Sequence, residues 1–154
     1  MASLHAGSIQ LSWVADLMAD LSITPANVAL AGTGVVTQSV QVAVAVAQGE
    51  TGYLDVASGK YRLADANLSE AAAGASGMFL TPAGIDGYAL IAFSGPINVG
   101  ATLTVGVVYV QSANAGKIAP IGDLTTGDYV TILGVASAAN RLDLAITRSG
   151  AQVP

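Results

Sequence analysis

The sequence predicts an all-β domain, a compact β-barrel or β-sandwich with an N-terminal arm that is extended or a short helix. Three observations lead there. Runs of β-branched residues recur from Asn27 onward, as in VVTQSVQVAVAV, ALIAFSG, ATLTVGVVYVQ, YVTILGVAS and LDLAIT. Clusters of Gly, Asn, Asp and Ser separate them at intervals of roughly ten residues, the rhythm of a sandwich or barrel. Apolar residues make up 53% of the chain but aromatics only 5%, so the apolar character comes from Ala, Val, Leu and Ile.

Residues 1–24 read differently from the rest. Leu4, Ile9, Leu11, Trp13, Val14, Leu17 and Leu21 alternate in places and then fall at helical spacing, which leaves an extended segment and a short helix both open. Pro25 ends this segment, because the residue before a proline is pushed toward extended backbone. The expected organisation is an arm over residues 1–25, a β domain over 26–148 and a C-terminal tail over 149–154. Within the β domain, GYLDVASGKYRLADA reads as a hairpin, with Tyr53–Val56 and Tyr61–Ala64 pairing around a turn at Ala57–Gly59. NLSEAAAGASG has helical composition, but Gly74 and its short length limit it to a loop or a single turn. Gly106 and Gly134, inside apolar runs, suggest bulges or close backbone approach.

Composition narrows the function classes. Charged residues are 10% of the chain, against about 25% in ordinary soluble domains. A spanning helix needs about 20 mostly apolar residues, and every apolar run here is broken sooner by Gly, Thr, Ser or Gln, so no membrane partner is expected. A signal peptide is not supported, since the N-terminus lacks a basic flank. The net charge is −5 and the five basic residues, Lys60, Arg62, Lys117, Arg141 and Arg148, are scattered, so no nucleic-acid partner is expected. A surface so poor in charge exposes apolar patches, and such patches mark interfaces. A homo-oligomer or a component of a larger assembly follows.

Candidate chemistry is sparse. The chain has no cysteine, and its one histidine, His5, lies in the arm. Asp55 with Asp65, or Asp123 with Asp128, invite a paired-acid reading. Each sits beside a turn signal, where an aspartate more often bonds its own backbone. No alternating aspartate series supports calcium, and Gly32-Thr33-Gly34 lacks the third glycine and the strand–helix setting of a nucleotide loop. Asn67-Leu68-Ser69 is a formal glycosylation sequon. Five tyrosines are spread along the strands, and pleated packing accounts for them. No nucleophile–base pair, metal cluster or phosphate cradle emerges, so neither an enzyme nor a cofactor is expected. The candidate partner contact is the arm, through Leu4, Ile9, Leu11, Trp13, Val14 and Leu17, with Trp13 the single tryptophan.

Several motifs together resemble a family of small tailed-bacteriophage virion proteins of the head-decoration, or capsid cement, type. These are ADLSITPANVALAGTG, then G-x-x-x-Y-x-D at Gly49–Asp55 running into GKYRLADA at Gly59–Ala66. Next come GATLTVGVVYVQS at Gly100–Ser112, GKIAP at Gly116–Pro120 and DLTTGDYVTILGVA at Asp123–Ala136. The likeness covers roughly residues 19–150; residues 1–17 precede where such proteins usually begin, and ASGMFLTPAGIDGYALIAFSGP is only loosely similar. The resemblance implies a virion structural protein on the capsid exterior, a trimer that binds between subunits of the phage major capsid protein and stabilises the mature shell. It brings no catalytic residues. The alternative is a head or tail fibre module that binds host cell-surface glycan through its loops.

Overall fold

A computed structural model describes residues 19–154. The arm contacts expected at Leu4, Ile9, Leu11, Trp13, Val14 and Leu17 lie outside the described residues. The remainder is all-β, a single curled antiparallel sheet that forms a half-barrel. Its strands are β1 (Val28–Leu30), β2 (Val36–Gln41), β3 (Thr51–Asp55), β4 (Lys60–Leu63), β5 (Gly77–Phe79), β6 (Tyr88–Val99), β7 (Val108–Gln111), β8 (Ile118–Pro120), β9 (Tyr129–Ala138) and β10 (Arg141–Gln152). One helical turn, α1 (Glu70–Ala73), follows β4, capped by the Ser69 hydroxyl, which accepts from the Ala72 amide at 3.1 Å.

The expected hairpin is present. β3 and β4 pair in the register Tyr53↔Arg62 and Asp55↔Lys60. Asp55 holds the turn through bonds from the Ala57 amide and the Ser58 hydroxyl, and Gly59 takes the left-handed conformation. β9 and β10 form the second long hairpin, turning at Ala139-Asn140. Gly134 sits in β9 because a Cβ there would lie 2.1 Å from the Asp143 carbonyl oxygen, the close approach its position suggested. Gly106 differs from expectation. It occupies a turn at φ +84° with open space around it, so the apolar run from Ala101 becomes a strand only at Val108.

β6 is the axis of the sheet. β1 and β2 follow one flank of it in line, from Val28↔Val99 to Gln41↔Tyr88. Ala92 pairs with Thr37 of β2 and Met78 of β5, whereas Ser94 pairs with Val36 of β2 and Ala145 of β10. A strand has two flanks, so β5 and β10 share the flank opposite β2 and part company at Phe93. The sheet forks there.

Both faces of the sheet near this fork are covered. Met78 and Ala92 face a large cluster with Ile97, Val99, Tyr109, Ile118, Leu133 and Leu142. Their neighbours Phe79 and Ile91 point the other way, against Val40, Val42 and Val46. That is why three successive β5 residues are all buried, and why residues 42–46 leave the ladder to cover its outer face. Phe79 and Ile91 are fully buried, each worth about 1.5–3 kcal/mol relative to exposure.

The chain before β1 joins this body. The Leu21 amide donates to Ile118 at 2.7 Å, the Thr24 amide to Gly100 at 2.8 Å, and Leu21 and Ile23 pack on the core. Asp20 accepts from the Ser112 hydroxyl and from the Asn114 amide. At the other end β10 continues to Gln152, through the first four residues assigned to the C-terminal tail.

Candidate interaction surface

Asp55, Asp65 and Asp128 each accept a backbone amide of their own turn. Asp55 accepts from Arg62 Nε at 2.9 Å and from Ser58 at 3.1 Å, and the two hold its carboxyl below the usual aspartate range. Asp65 accepts the Asn67 amide in a turn. The buried Asp128 accepts the Thr125 amide at 2.9 Å and so closes its own loop. Burial pushes the Asp123 carboxyl up, helped by the negative charges of Asp20 and Asp128. Lys60 pairs with Asp86 at 2.7 Å, tying the β3–β4 hairpin to the turn before β6. Among the described residues no three His, Asp or Glu side chains gather closely enough to hold a metal ion. No helix there is long and apolar enough to cross a membrane.

What the surface offers is backbone and apolar area. Residues 21–49 carry no charged side chain, and this stretch supplies the whole β1–β2 edge. The outer flank of Val36–Ser39 receives no backbone hydrogen bond from the described residues. All four residues are exposed, Val36 at 54%, so this part of β2 stands out as a ridge. Edge strands are usually blunted by Lys, Pro or bulges, because an open edge recruits another strand. Apart from one irregularity at Val36–Thr37, β2 has none of these.

The second feature is the groove created by the fork. One lobe, roughly 580 Å3, lies between α1 and the strands β9 and β10, against Glu70, Tyr129, Thr131 and Gly150. The other, roughly 450 Å3, is lined by Leu54, Val56, Tyr61, Ser76 and Phe93. Ala71, Gly74 and Arg148 belong to both lobes. Among the described residues β10 pairs only with β9 beyond Ala145, and its other edge faces the groove. Arg148 is the one charged side chain of the last eleven residues. Lys60, Arg62 and Arg141 each have a carboxylate partner, whereas Arg148 donates to the Ser76 hydroxyl at 2.9 Å and has no carboxylate within 4.0 Å among the described residues. Burial lifts the Tyr61 hydroxyl above the usual tyrosine range, and the nearby Arg148 charge partly offsets it.

A third recess is polar. It lies at the other end of β6, roughly 470 Å3, among Thr24, Asn27, Asn98, Thr102 and Asn140. Sequence reasoning missed both the ridge and the groove as surfaces. The uncharged run at 21–49 was a visible signal for the ridge; the groove depends on pairings between residues distant in the chain.

Comparison with protein-family models, with curated proteins and with solved structures gives no match.

Proposed function

We propose that this chain is a non-enzymatic phage virion structural protein that decorates the capsid exterior and stabilises it by binding between major capsid subunits. The observation that carries the reading is the charge-free β1–β2 edge, left open by the described residues, on a domain with unusually few charges. Such an edge is incomplete without another chain against it. Three of the aspartates named as candidate acids, Asp55, Asp65 and Asp128, are committed to turns or ion pairs, which favours a scaffold. The sequence resemblance to head-decoration proteins points the same way. Mechanistically, a protein that binds the mature shell better than its precursor stabilises the mature form by mass action. Many copies on one shell add multivalency.

The test is direct. Quantitative mass spectrometry of purified virions is expected to find this chain in hundreds of copies, the order set by the number of capsid subunits, and cryo-EM is expected to place it over seams between them. A few copies at the tail would overturn the reading in favour of a glycan-binding fibre module. The polar recess at Asn98 and Asn140, rich in amides and hydroxyls, is the observation that favours that second reading.

A further inference from the structure

The groove beside α1 has the face of the β9–β10 hairpin as its floor. Thr131 and Arg148 are direct partners across the two strands, so their side chains share that face. Arg148 passes close to Gly74, where a Cβ would lie 3.3 Å from its Cδ. Glu70 stands over Gly150, where a Cβ would lie 3.2 Å from its Oε1. The guanidinium and the carboxylate thus sit toward opposite ends of α1 and line one cavity of roughly 580 Å3. Neither has an opposite charge within 4.0 Å among the described residues. We propose that this groove binds a small zwitterion with an apolar side chain, of the α-amino-acid class, with Arg148 taking the carboxylate and Glu70 the ammonium. The inference rests on the groove alone and does not depend on the capsid reading.

A buried hydroxyl marks the floor. Thr131 is 2% exposed, and its hydroxyl has no hydrogen-bond partner among the described residues. The other buried polar residues described, Thr51, Gln111, Ser112 and Asp128, each have one. No side-chain oxygen or nitrogen of the described residues is sealed in the interior without a partner. The Thr131 oxygen therefore keeps an opening, and the cavity that Thr131 lines is that opening. A hydroxyl left unbonded at such a site costs stability, so a ligand group that bonds it gains by doing so. Charge then selects the class. A simple anion is drawn by Arg148 and repelled by Glu70, and a simple cation the reverse; a molecule that carries both charges satisfies both. Arg148 also lines the second lobe, with Leu54, Val56 and Phe93. A carboxylate held at this junction sends its ammonium into the first lobe and its apolar side chain into the second. Arg148 donates one N–H to Ser76, which leaves further donors of its fork for the carboxylate.

Calorimetric titration and ligand-observed NMR on the full chain test this with L-phenylalanine as the probe. Three comparison compounds each lack one part of it: phenylpropionate the ammonium, phenethylamine the carboxylate and glycine the ring. L-Phenylalanine is expected to bind saturably, and each comparison compound to bind roughly tenfold or more weakly. Glu70 and Arg148 are exposed, so their substitution leaves the fold intact, which thermal melts by circular dichroism confirm. Glu70→Gln is expected to weaken L-phenylalanine by a similar factor while phenylpropionate binds no less tightly than to wild type. Arg148→Gln is expected to weaken L-phenylalanine while phenethylamine binds no less tightly. Thr131→Val should weaken L-phenylalanine without lowering the melting temperature, since its hydroxyl has no described partner to lose. Three results would each overturn the proposal: no saturable binding of L-phenylalanine, a comparison compound that binds as tightly as L-phenylalanine, or charge variants that bind it like wild type.

Discussion

Gln111 on β7 and Thr51 on β3 hydrogen-bond to each other with both side chains fully buried, although their strands share no ladder. The Gln111 amide also donates to the Ala64 carbonyl at 2.7 Å and the Ser112 carbonyl at 3.1 Å. Backbone bonds follow the same line, from Gly116 to Ala64, from Thr51 to Gly116 and from Ala66 to Ser112. These bonds span the gap between the β3–β4 and β7–β8 ends of the curled sheet, so one polar side chain helps close its open side.

Gln111→Leu is therefore expected to cost about 1–3 kcal/mol, because it strands the buried Thr51 hydroxyl and leaves the Ala64 carbonyl only its bond from the Gly116 amide. Adding Thr51→Val should recover most of this, since the unpaired hydroxyl is then gone and the carbonyl keeps its Gly116 bond. Urea unfolding of the single and double variants measures both. A single variant within about 0.5 kcal/mol of wild type would show that the seam bond is unimportant.

Gly134 and Gly106 should both lose stability on substitution by alanine, but to different degrees. Gly134→Ala drives a methyl group into the Asp143 carbonyl at 2.1 Å, so a loss of about 3 kcal/mol or more is expected as β9 and β10 separate. Gly106→Ala meets nothing and bears only the left-handed backbone penalty, about 1–2 kcal/mol. The ranking of the two melting temperatures checks the assignment of strand and turn.

Asp123 gives a pH test. Its carboxyl is raised in the folded state by burial and by Asp20 and Asp128, so the folded protein holds that proton more tightly than the unfolded chain. The associated stability is present below the unfolded aspartate pKa of about 3.9 and is lost as pH rises through the folded value. Asp123→Asn should therefore be more stable than wild type at pH 7, with the difference vanishing below about pH 4. A variant less stable than wild type at pH 7 would mean that the charge is favourably engaged.

The arm carries a prediction tied to shell decoration. A chain beginning at Met18 is expected to bind mature shells more weakly than the full chain, because it lacks Leu4, Ile9, Leu11, Trp13, Val14 and Leu17. Co-sedimentation with undecorated shells measures it, and equal affinity would remove the arm from the contact.

Local grammar made the hairpins legible. Ser58-Gly59 became a turn where expected, and Ala139-Asn140 turns the β9–β10 hairpin. VVTQSVQVAVAV was less transparent. Its alternation suits a strand throughout, yet the ladder with β6 stops at Gln41 and the rest crosses over Phe79. That choice is made by residues more than 30 positions away. Gln111 was illegible for a related reason, since a glutamine in an apolar strand signals nothing until Thr51 and Ala64 are placed against it. Asp123 and Asp128 do share a loop, where Asp128 closes the turn and the Asp123 carboxyl is raised by burial and by its acidic neighbours.

The central place of β6 also sets the order of events during synthesis. Its twelve residues pair with β1, β2, β5 and β10, and the last of these partners begins only at Arg141. A nascent chain halted before that point leaves the flank at Ser94–Asn98 open, with Ile97 deprived of Leu142. Sheets of such long-range pairing fold slowly, roughly in milliseconds to seconds. Ribosomes that stop early should thus release sticky, aggregating fragments rather than a smaller folded unit.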